Sequence, residues 1–517
     1  MAILGTLLKR GIKLRKMIEQ EQIRPYELQR DELAVLLDKA KNTAFGKAYD
    51  FQQILHEISF NRDPHAFYER YKQKVPVYTY NKLFQQWWCR TLEGKKNVCW
   101  PGKVKYFALS SGTSESSSKH IPVTKAMIKA IQKTSIRQIL SLAHYPDLPG
   151  KLFTTGMLAL GGSTHLNYNG TYFEGDLSGI NASRIPFWFQ HFYKPGAEIS
   201  SITDWNTKLE EIVEQAPSWD IGFLAGVPAW VQILMEKIIE RYQLKTIHDI
   251  WPNLMVYTHG GVSFEPYRAG FEKLLAHPLI YIETYLASEG FFAYQALPGR
   301  NSMRLVLNNG IFYEFVPFDE LNFDAGGEIV ENPETVMIDQ VEEGREYALL
   351  LSTCAGAWRY LIGDVVKFVS KKESEIVITG RTKHFLSLCG EHLSVDNMNR
   401  AVRQVADELG ITIREFTVAG IAHGSLFAHQ WYIGTDDVAD PEVLRQKIDA
   451  KLKILNDDYR VERDAALKEV YVEVLPTEVF YQWMRKRGKI GGQAKFPRVL
   501  KKQQYEEWEA YVKQKAV

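Results

Sequence analysis

The chain has 517 residues, too many for one hydrophobic core, and its 45% hydrophobic and 24% charged residues are ordinary for a globular protein of two or more domains. A net charge of +1 at pH 7, with no basic arm or acidic tail, gives no reason to expect a nucleic acid partner. Four cysteines (Cys89, Cys99, Cys354 and Cys389) form no CxxC pair and no metal-type spacing, which argues for a reducing, cytoplasmic compartment.

The opening MAILGTLLKRGIKLRK carries an apolar run of about seven residues, too short to span a bilayer and poorly matched to a secretory signal. It reads as a helix packed on the body of the protein or as a basic amphipathic helix on a membrane surface, the first fitting better. No stretch reaches the ~18 apolar residues of a membrane helix, so no membrane partner is expected. Residues 1–100 read as mainly helical, with helices over Glu32–Lys41 and Pro64–Lys74 and an exit at Pro76. Val104–Leu109 reads as a strand and Thr124–Leu142 as a helix. Helical spacing returns at Ile202–Ala216 and Ala229–Tyr242, and the short apolar runs Leu254–Tyr257 and Leu279–Ile282 read as buried strands.

From residue 303 the pattern is β. Met303–Leu307 and Ile311–Val316 flank Asn308-Asn309-Gly310, and Asn-Gly predicts a hairpin. Glu346–Ser352, Val365–Ser370 and Glu375–Thr379 continue as strands. Near 380–385 the rhythm changes to α+β, with helices at Val395–Leu409 and Pro441–Leu455 and strands near Glu415–Ile421, Phe427–Ile433 and Lys468–Leu475. A boundary near residue 382 divides a large domain, 1–382, from a small one, 383–517, of about 135 residues.

Chemistry concentrates at a few places. Residues 109–124 read Leu-Ser-Ser-Gly-Thr-Ser-Glu-Ser-Ser-Ser-Lys-His-Ile-Pro-Val-Thr. A strand opening into a turn of hydroxyls that ends in Lys119 is a natural phosphate cradle: backbone N–H groups and hydroxyls donate and the lysine supplies charge. A flexible serine loop is the alternative. GxxxxGK[ST], GxGxxG before a helix, GxSxG and the kinase signatures are all absent. His259-Gly260-Gly261 imitates part of an esterase oxyanion loop but has no nucleophile elbow to serve. Tyr285-Leu286-Ala287-Ser288-Glu289-Gly290 follows an apolar run, where α/β proteins place ligands. Glu289 suits Mg2+, a hard cation; a helix N-cap at Ser288-Glu289 is the competing reading. In Trp358-Arg359-Tyr360-Leu361-Ile362-Gly363-Asp364-Val365-Val366, Asp364 is placed to accept two ribose hydroxyls or else to sit in a tight Gly-Asp turn. Gly380-Arg381 lies at the domain boundary, where a hinge would be, and Lys495 lies in a glycine-flanked loop.

The order of these signals resembles that of adenylate-forming enzymes, and within them the auxin-inducible acyl-acid amido synthetases of plants and their bacterial relatives. Three spellings carry the likeness: Ser110-Ser111-Gly112-Thr113-Ser114 with Ser118-Lys119-His120-Ile121-Pro122-Val123-Thr124; Trp358 to Val366; and Gly492-Gln493-Ala494-Lys495-Phe496-Pro497-Arg498. They run from about 106 to 498. The resemblance implies an α/β fold: a large N-terminal domain of mixed sheets with helices and a β-barrel-like part, and a smaller mobile α+β C-terminal domain that acts as a lid and carries the late lysine. It implies ATP and Mg2+ as cofactors and two substrates, a small carboxylic acid and an amine, usually an amino acid. The acid becomes an acyl-adenylate, and the amine then takes the acyl group. An acyl- or aryl-CoA ligase with the same first step, and a non-catalytic nucleotide-binding relative, are the alternatives.

By the same resemblance Ser110, Ser111 and Thr113, with Lys119, would hold phosphates, and Glu289, beside Ser288, the metal. Asp364 would grip the ribose. Tyr285 and the turn His259, Gly260, Gly261 would lie near the adenine or the acyl group. Lys495 would reach the α-phosphate or acyl carboxylate, with Lys489 in Arg487-Gly488-Lys489-Ile490 as its rival, and the small domain would turn about Arg381. The chain departs from the family at Trp358, often Tyr, at Leu361, often Arg, and at His392, near which the plant enzymes carry a Lys; that role is filled by His392 or Lys383, or it is absent. Arg137 is the expected anchor for the acid's carboxylate, a surface helix Arg being the equal alternative. The aromatics of 170–230, among them Tyr172, Trp205, Phe223 and Trp230, fit an acid pocket, though core packing accounts for most of them.

Overall fold

A computed structural model of the chain describes residue 11 and residues 24–60, 65–110, 119–145, 148–185, 187–261, 264–324, 327–382, 386, 393, 395–423, 426–456, 459–460, 463, 467–488 and 496–515. The N-terminal part is helical, as its sequence predicts. Helix α1 (Pro25–Ala40) starts with proline at its first turn and buries Leu33, Leu36, Leu37 and Ala40, the i, i+3, i+4, i+7 positions of one face. Helices α2 (Phe51–Phe60) and α3 (Ala66–Lys74) follow. Thr124 caps α4 (Lys125–Ser141): its hydroxyl accepts from the Met127 N–H at 3.1 Å and donates to the Cys354 carbonyl at 2.7 Å. Asp204 caps α5 (Trp205–Gln215), accepting from the Thr207 N–H at 2.8 Å, and α6 (Pro228–Arg241) and α7 (Glu265–Glu272) complete the larger helices of this domain.

Two sheets organise the large domain. A four-stranded sheet joins β1 (Tyr106–Ser110), β2 (Lys119–Val123), β4 (Asn167–Tyr168) and β5 (Phe173–Gly175) in the order β2-β1-β5-β4. The other has eleven strands. Its parallel half holds β3 (Gly156–Ala159), β6 (Tyr193–Lys194), β7 (Ile221–Ala225), β8 (Val256–Gly260) and β9 (Ile280–Ala287). Its antiparallel half holds β10 (Gly290–Tyr294), β11 (Met303–Leu305), β12 (Ile311–Pro317), β13 (Glu346–Thr353), β14 (Tyr360–Ser370) and β15 (Glu375–Arg381). The order β12-β13-β14-β15-β11-β10-β9-β8-β7-β3-β6 puts β9 where the parallel half meets the antiparallel one.

The hairpin predicted around Asn308-Asn309-Gly310 does not form. Strand β11 pairs with β10 and β15, while β12 pairs with β13 at the far edge. Helices claim the loop instead. The Gln29 amide donates to the Leu307 and Ile311 carbonyls at 2.7 and 3.0 Å, and the Asn309 amide donates to Thr134 Oγ1 at 2.5 Å. A buried amide that satisfies two carbonyls outweighs a turn propensity.

The core lies between α1–α4 and the antiparallel half, where Leu37, Phe45, Phe312 and Trp358 are fully buried; a second core of Ile212, Leu234, Trp251 and Tyr257 backs the parallel half. Several of the aromatics near 170–230 serve packing: Trp205 meets Trp230 edge-on at 5.0 Å and Tyr172 meets Phe107 at 4.7 Å. The smaller C-terminal domain has its own four-stranded sheet, β18-β17-β16-β19, built from β16 (Ile413–His423), β17 (Leu426–Thr435), β18 (Leu467–Leu475) and β19 (Val499–Leu500). Helices α8 (Val395–Leu409) and α9 (Pro441–Leu455) share one core with it, and α10 (Thr477–Lys486) and α11 (Lys502–Lys515) another. Among the described residues no helix is long and apolar enough to cross a membrane.

Candidate active site

Strands β9 and β10 form a hairpin whose two-residue turn is Ser288-Glu289, with Ala287 opposite Gly290. A strand follows, so the N-cap reading of Ser288-Glu289 is replaced by a turn at the carboxyl end of a parallel strand. Glu289 is 7% exposed, and the Tyr360 hydroxyl donates to its Oε1 at 3.2 Å. Burial raises the Glu289 carboxyl above its ordinary range; the negative charge of Asp364 adds to this, while Arg381 and Lys119 oppose it.

Asp364 stands inside β14, directly opposite Arg381 on β15. It is therefore a strand residue, not the Asp of a tight turn. Arg381 Nε meets Asp364 Oδ1 at 2.8 Å, and its NH2 donates to the Ile362 carbonyl at 2.9 Å. The Tyr285 hydroxyl, at the end of β9, donates to the other carboxylate oxygen. Gly363 takes φ +89°, a backbone conformation that glycine adopts freely, and its carbonyl accepts from the Thr382 N–H at 2.8 Å. Asp364 in turn holds the Arg381 guanidinium above its ordinary value, and burial followed by Asp364 raises the Tyr285 phenol well above its own.

The phosphate-loop candidates border this cluster. Ser110 ends β1 opposite Lys119 at the start of β2. The Lys119 ammonium lies 5.3 Å from the Tyr80 ring centroid, and the Tyr80 hydroxyl accepts from the His120 N–H at 2.9 Å. Ser111, Thr113, Lys383, His392, Lys489 and Lys495 lie outside the described residues.

Two candidates are engaged elsewhere. Arg137 donates to Asn308 Oδ1 at 2.7 Å and its charge reaches Glu32, so it ties α4 to the 308–310 loop. The His259 imidazole is 6% exposed and stacks on Phe264 at 4.8 Å, in the core behind β8. Gly260 is required for close approach: a Cβ there would lie 2.5 Å from the Thr284 carbonyl oxygen on β9. His259 and Gly260 thus belong to β8 and not to a turn, and Gly261, just past the strand, takes φ +83°. Two residues join the site without having been assigned a role. Tyr360 lay within a recognised motif. Tyr80 had no signal in a helical region.

The cluster thus joins two buried or half-buried carboxylates, their tyrosine and arginine donors and a nearby lysine at the carboxyl end of a parallel strand, where open α/β sheets bind ligands. Known family models cover most of the chain. Three models match in chain order: "GH3 family N-terminal domain" over residues 14–208, "GH3 family central domain" over 304–381 and "GH3 family C-terminal domain" over 396–504. The chain is 31% identical over 154 residues to the probable indole-3-acetic acid-amido synthetase GH3.6 of Oryza sativa subsp. japonica, covering 28% of this chain and 30% of that protein. It is 25% identical over 332 residues to the indole-3-acetic acid-amido synthetase GH3.4 of Arabidopsis thaliana, covering 61% of this chain and 49% of that one. The aligned stretches therefore span about a third to a half of these curated relatives. The solved GH3.15 acyl acid amido synthetase shares the fold with a TM-score of 0.76 at 15% identity, over 96% of this chain and 95% of that one. A 2-hydroxyisobutyryl-CoA ligase in its post-adenylation state follows at 0.56 and 13% identity, over 94% and 91%.

Proposed function

The chain belongs to the GH3 family, and on that premise we propose that it is an ATP-dependent acyl-acid amido synthetase that joins a small carboxylic acid to an amine, an amino acid above all. The observation that carries this reading is the convergence of Asp364 and Glu289, with Tyr285, Tyr360 and Arg381, at the end of β9. Each oxygen of Asp364 takes one donor, from Arg381 or Tyr285, and keeps capacity to accept a ribose hydroxyl. Lys119, with the hydroxyls and N–H groups that follow β1, neutralises phosphate oxygens.

In the first step a carboxylate oxygen of the acid attacks the α-phosphorus, the bond to pyrophosphate breaks and acyl-AMP forms. Positioned positive charge at the phosphates lowers this barrier, the part taken by Lys119 and by Lys495 from the small domain. In the second step the amine nitrogen attacks the acyl carbon, loses its proton, and AMP leaves. Among the described residues no three His, Cys, Asp or Glu side chains cluster as a metal site. Glu289 as a single carboxylate fits Mg2+, which keeps waters and takes substrate phosphates as its other ligands. Bound there, Mg2+ supplies charge neutralisation at the phosphates. The domain division at residue 382, with Arg381 as the hinge, belongs to the same reading: turning the small domain exchanges the lysine for the amine's access.

A panel of carboxylic acids in a pyrophosphate-release assay, with and without mixed amino acids or CoA, tests it. The expected result is acid-dependent pyrophosphate release and an amide product. A thioester with no amide would make the protein a CoA ligase, and no release with any acid would make it a nucleotide-binding relative without this activity.

A further inference from the structure

Tyr267 lies on α7, the helix that follows strand β8. It is 2% exposed, and its hydroxyl crosses to the small domain to donate to Glu415 Oε1 at 2.9 Å. The other oxygen of Glu415 meets Arg498 NH1 at 2.6 Å. This ion pair is buried, its side chains 5% and 12% exposed. Arg498 also donates to the Phe416 carbonyl at 2.9 Å and lies 4.5 Å from the Phe416 ring centroid. The backbone around it is fixed as firmly: the Val418 N–H donates to the Arg498 carbonyl at 3.0 Å, and Thr417 Oγ1 to the Pro497 carbonyl at 2.7 Å. Lys495 stands three positions before Arg498 in the sequence, and Lys489 nine.

Glu415 thus has one donor from its own domain and one from the other. A buried carboxylate is stable only while its oxygens are satisfied, and its hydrogen bonds are charge-assisted. Rotation of the small domain would remove the tyrosine and open the ion pair to water. Flanking contacts also cross the boundary, Arg414 to Glu236 at 3.2 Å and Lys273 to Thr412 at 3.3 Å, but Arg414 and Glu236 are about a third exposed and contribute little.

We propose that Tyr267 is a positioning residue: through the Glu415–Arg498 pair it selects this orientation of the small domain and sets the base of the lysine-bearing segment against the helix that follows β8. The catalytic consequence rests on the amido-synthetase reading; the orientation itself does not. The half-reaction that this orientation serves depends on Tyr267, and the other does not.

Amide hydrogen exchange on the full chain, without substrate, tests the orientation. Tyr267→Phe keeps the buried ring and removes the donor. It is expected to speed exchange roughly tenfold in peptides covering 413–418 and 497–500, as local openings become more frequent. Glu415→Gln keeps an acceptor for Tyr267 and removes the charge facing Arg498; it should speed the same peptides and is the second arm should the first variant not fold. With an acid found by the panel, acyl-AMP formation and aminolysis are timed separately, and Tyr267→Phe is expected to change their ratio at least tenfold. Wild-type exchange in both variants, or equal slowing of both half-reactions, would overturn the proposal. Faster exchange in a chain that releases no pyrophosphate with any acid upholds the cross-domain contact and refutes only the amido-synthetase reading.

Discussion

The Tyr360 hydroxyl donates to Glu289 across the gap between β14 and the β9–β10 turn, at 3.2 Å. Tyr360 is 1% exposed, so this donor cannot be replaced by bulk water, and it keeps one oxygen of Glu289 oriented. Outer partners of a metal-binding carboxylate commonly change metal affinity 10–100-fold when removed. Tyr360→Phe should therefore raise the Mg2+ concentration for half-maximal pyrophosphate release roughly tenfold, with saturated turnover little changed. A magnesium titration of the two proteins decides it; superimposable curves would detach Tyr360 from the metal.

Asp364 and Arg381 face each other across two strands, and Asp364 offers its remaining acceptor capacity outward. Asp364→Asn keeps the shape and loses the charge. Hydrogen bonds to charged groups contribute about 1.5–3 kcal/mol, so AMP affinity measured by calorimetry should fall roughly 10–100-fold. Equal affinity in the variant would remove Asp364 from the ribose.

That pair also shows what the sequence made legible. Asp364 and Arg381 stood out separately, one after a glycine and one at a domain boundary. Only the β14–β15 register brings them opposite each other, and register depends on pairing that local spelling does not contain. The helices were readable because periodicity and caps such as Thr124 and Asp204 are local. The Asn308-Asn309-Gly310 hairpin was misread because its competitor, Gln29, lies some 280 positions away in sequence. The Arg137–Asn308 contact was hidden for the same reason, the two residues lying 171 positions apart.

Lys495 and Lys489 compete for one role, and the anchors beside them differ in burial: Lys495 is followed by Phe496, 5% exposed, and by Arg498 in its buried pair with Glu415, whereas Arg487 before Lys489 pairs with Glu507 at the surface, the two side chains 31% and 43% exposed. An anchored neighbour makes a lysine's reach reproducible. Lys495→Ala should slow acyl-AMP formation roughly 10²–10³-fold, the effect of losing one charge-stabilising donor, with AMP affinity retained, while Lys489→Ala stays near wild type. The reverse pattern assigns the role to Lys489.

His248 makes stability depend on pH in the large domain. Its Nδ1 accepts from the Ala276 N–H at 3.0 Å and its Nε2 faces the Leu254 carbonyl at 3.1 Å, so the folded state uses the neutral ring with the proton on Nε2. Burial, aided by His277 with ring centroids 3.7 Å apart, lowers its pKa below the ordinary value. As pH falls through about 6.5 the unfolded chain takes the proton first, so this contribution is complete above that pH and is lost below it. His248→Gln offers an acceptor and a donor without titrating. Urea midpoints between pH 7.5 and 5.5 should fall less steeply in the variant than in the parent protein, and parallel slopes would exclude His248 as a source.

Arg359 holds the motif that delivers Tyr360. Its backbone sits at φ +42°, unusual for a side-chain-bearing residue and costing about 1–3 kcal/mol. The compensation is visible. Its Nε reaches both oxygens of Glu314, at 2.9 and 3.1 Å, NH2 donates to Thr335 Oγ1 at 3.0 Å, and NH1 donates to the Val75 carbonyl at 2.8 Å. The side chains of the pair are 5% and 0% exposed, so α3, β12 and β14 meet at one fully dehydrated ion pair. Removing only the cation strands a buried carboxylate. Arg359→Met should destabilise the large domain by about 3–5 kcal/mol, read as a lower urea midpoint with an unchanged slope. Replacing both partners, Arg359→Met with Glu314→Leu, removes the stranded charge and should recover much of that loss. If the double variant were as unstable as the single one, the strained backbone at Arg359, and not the unpaired charge, would be what the arginine exists to hold.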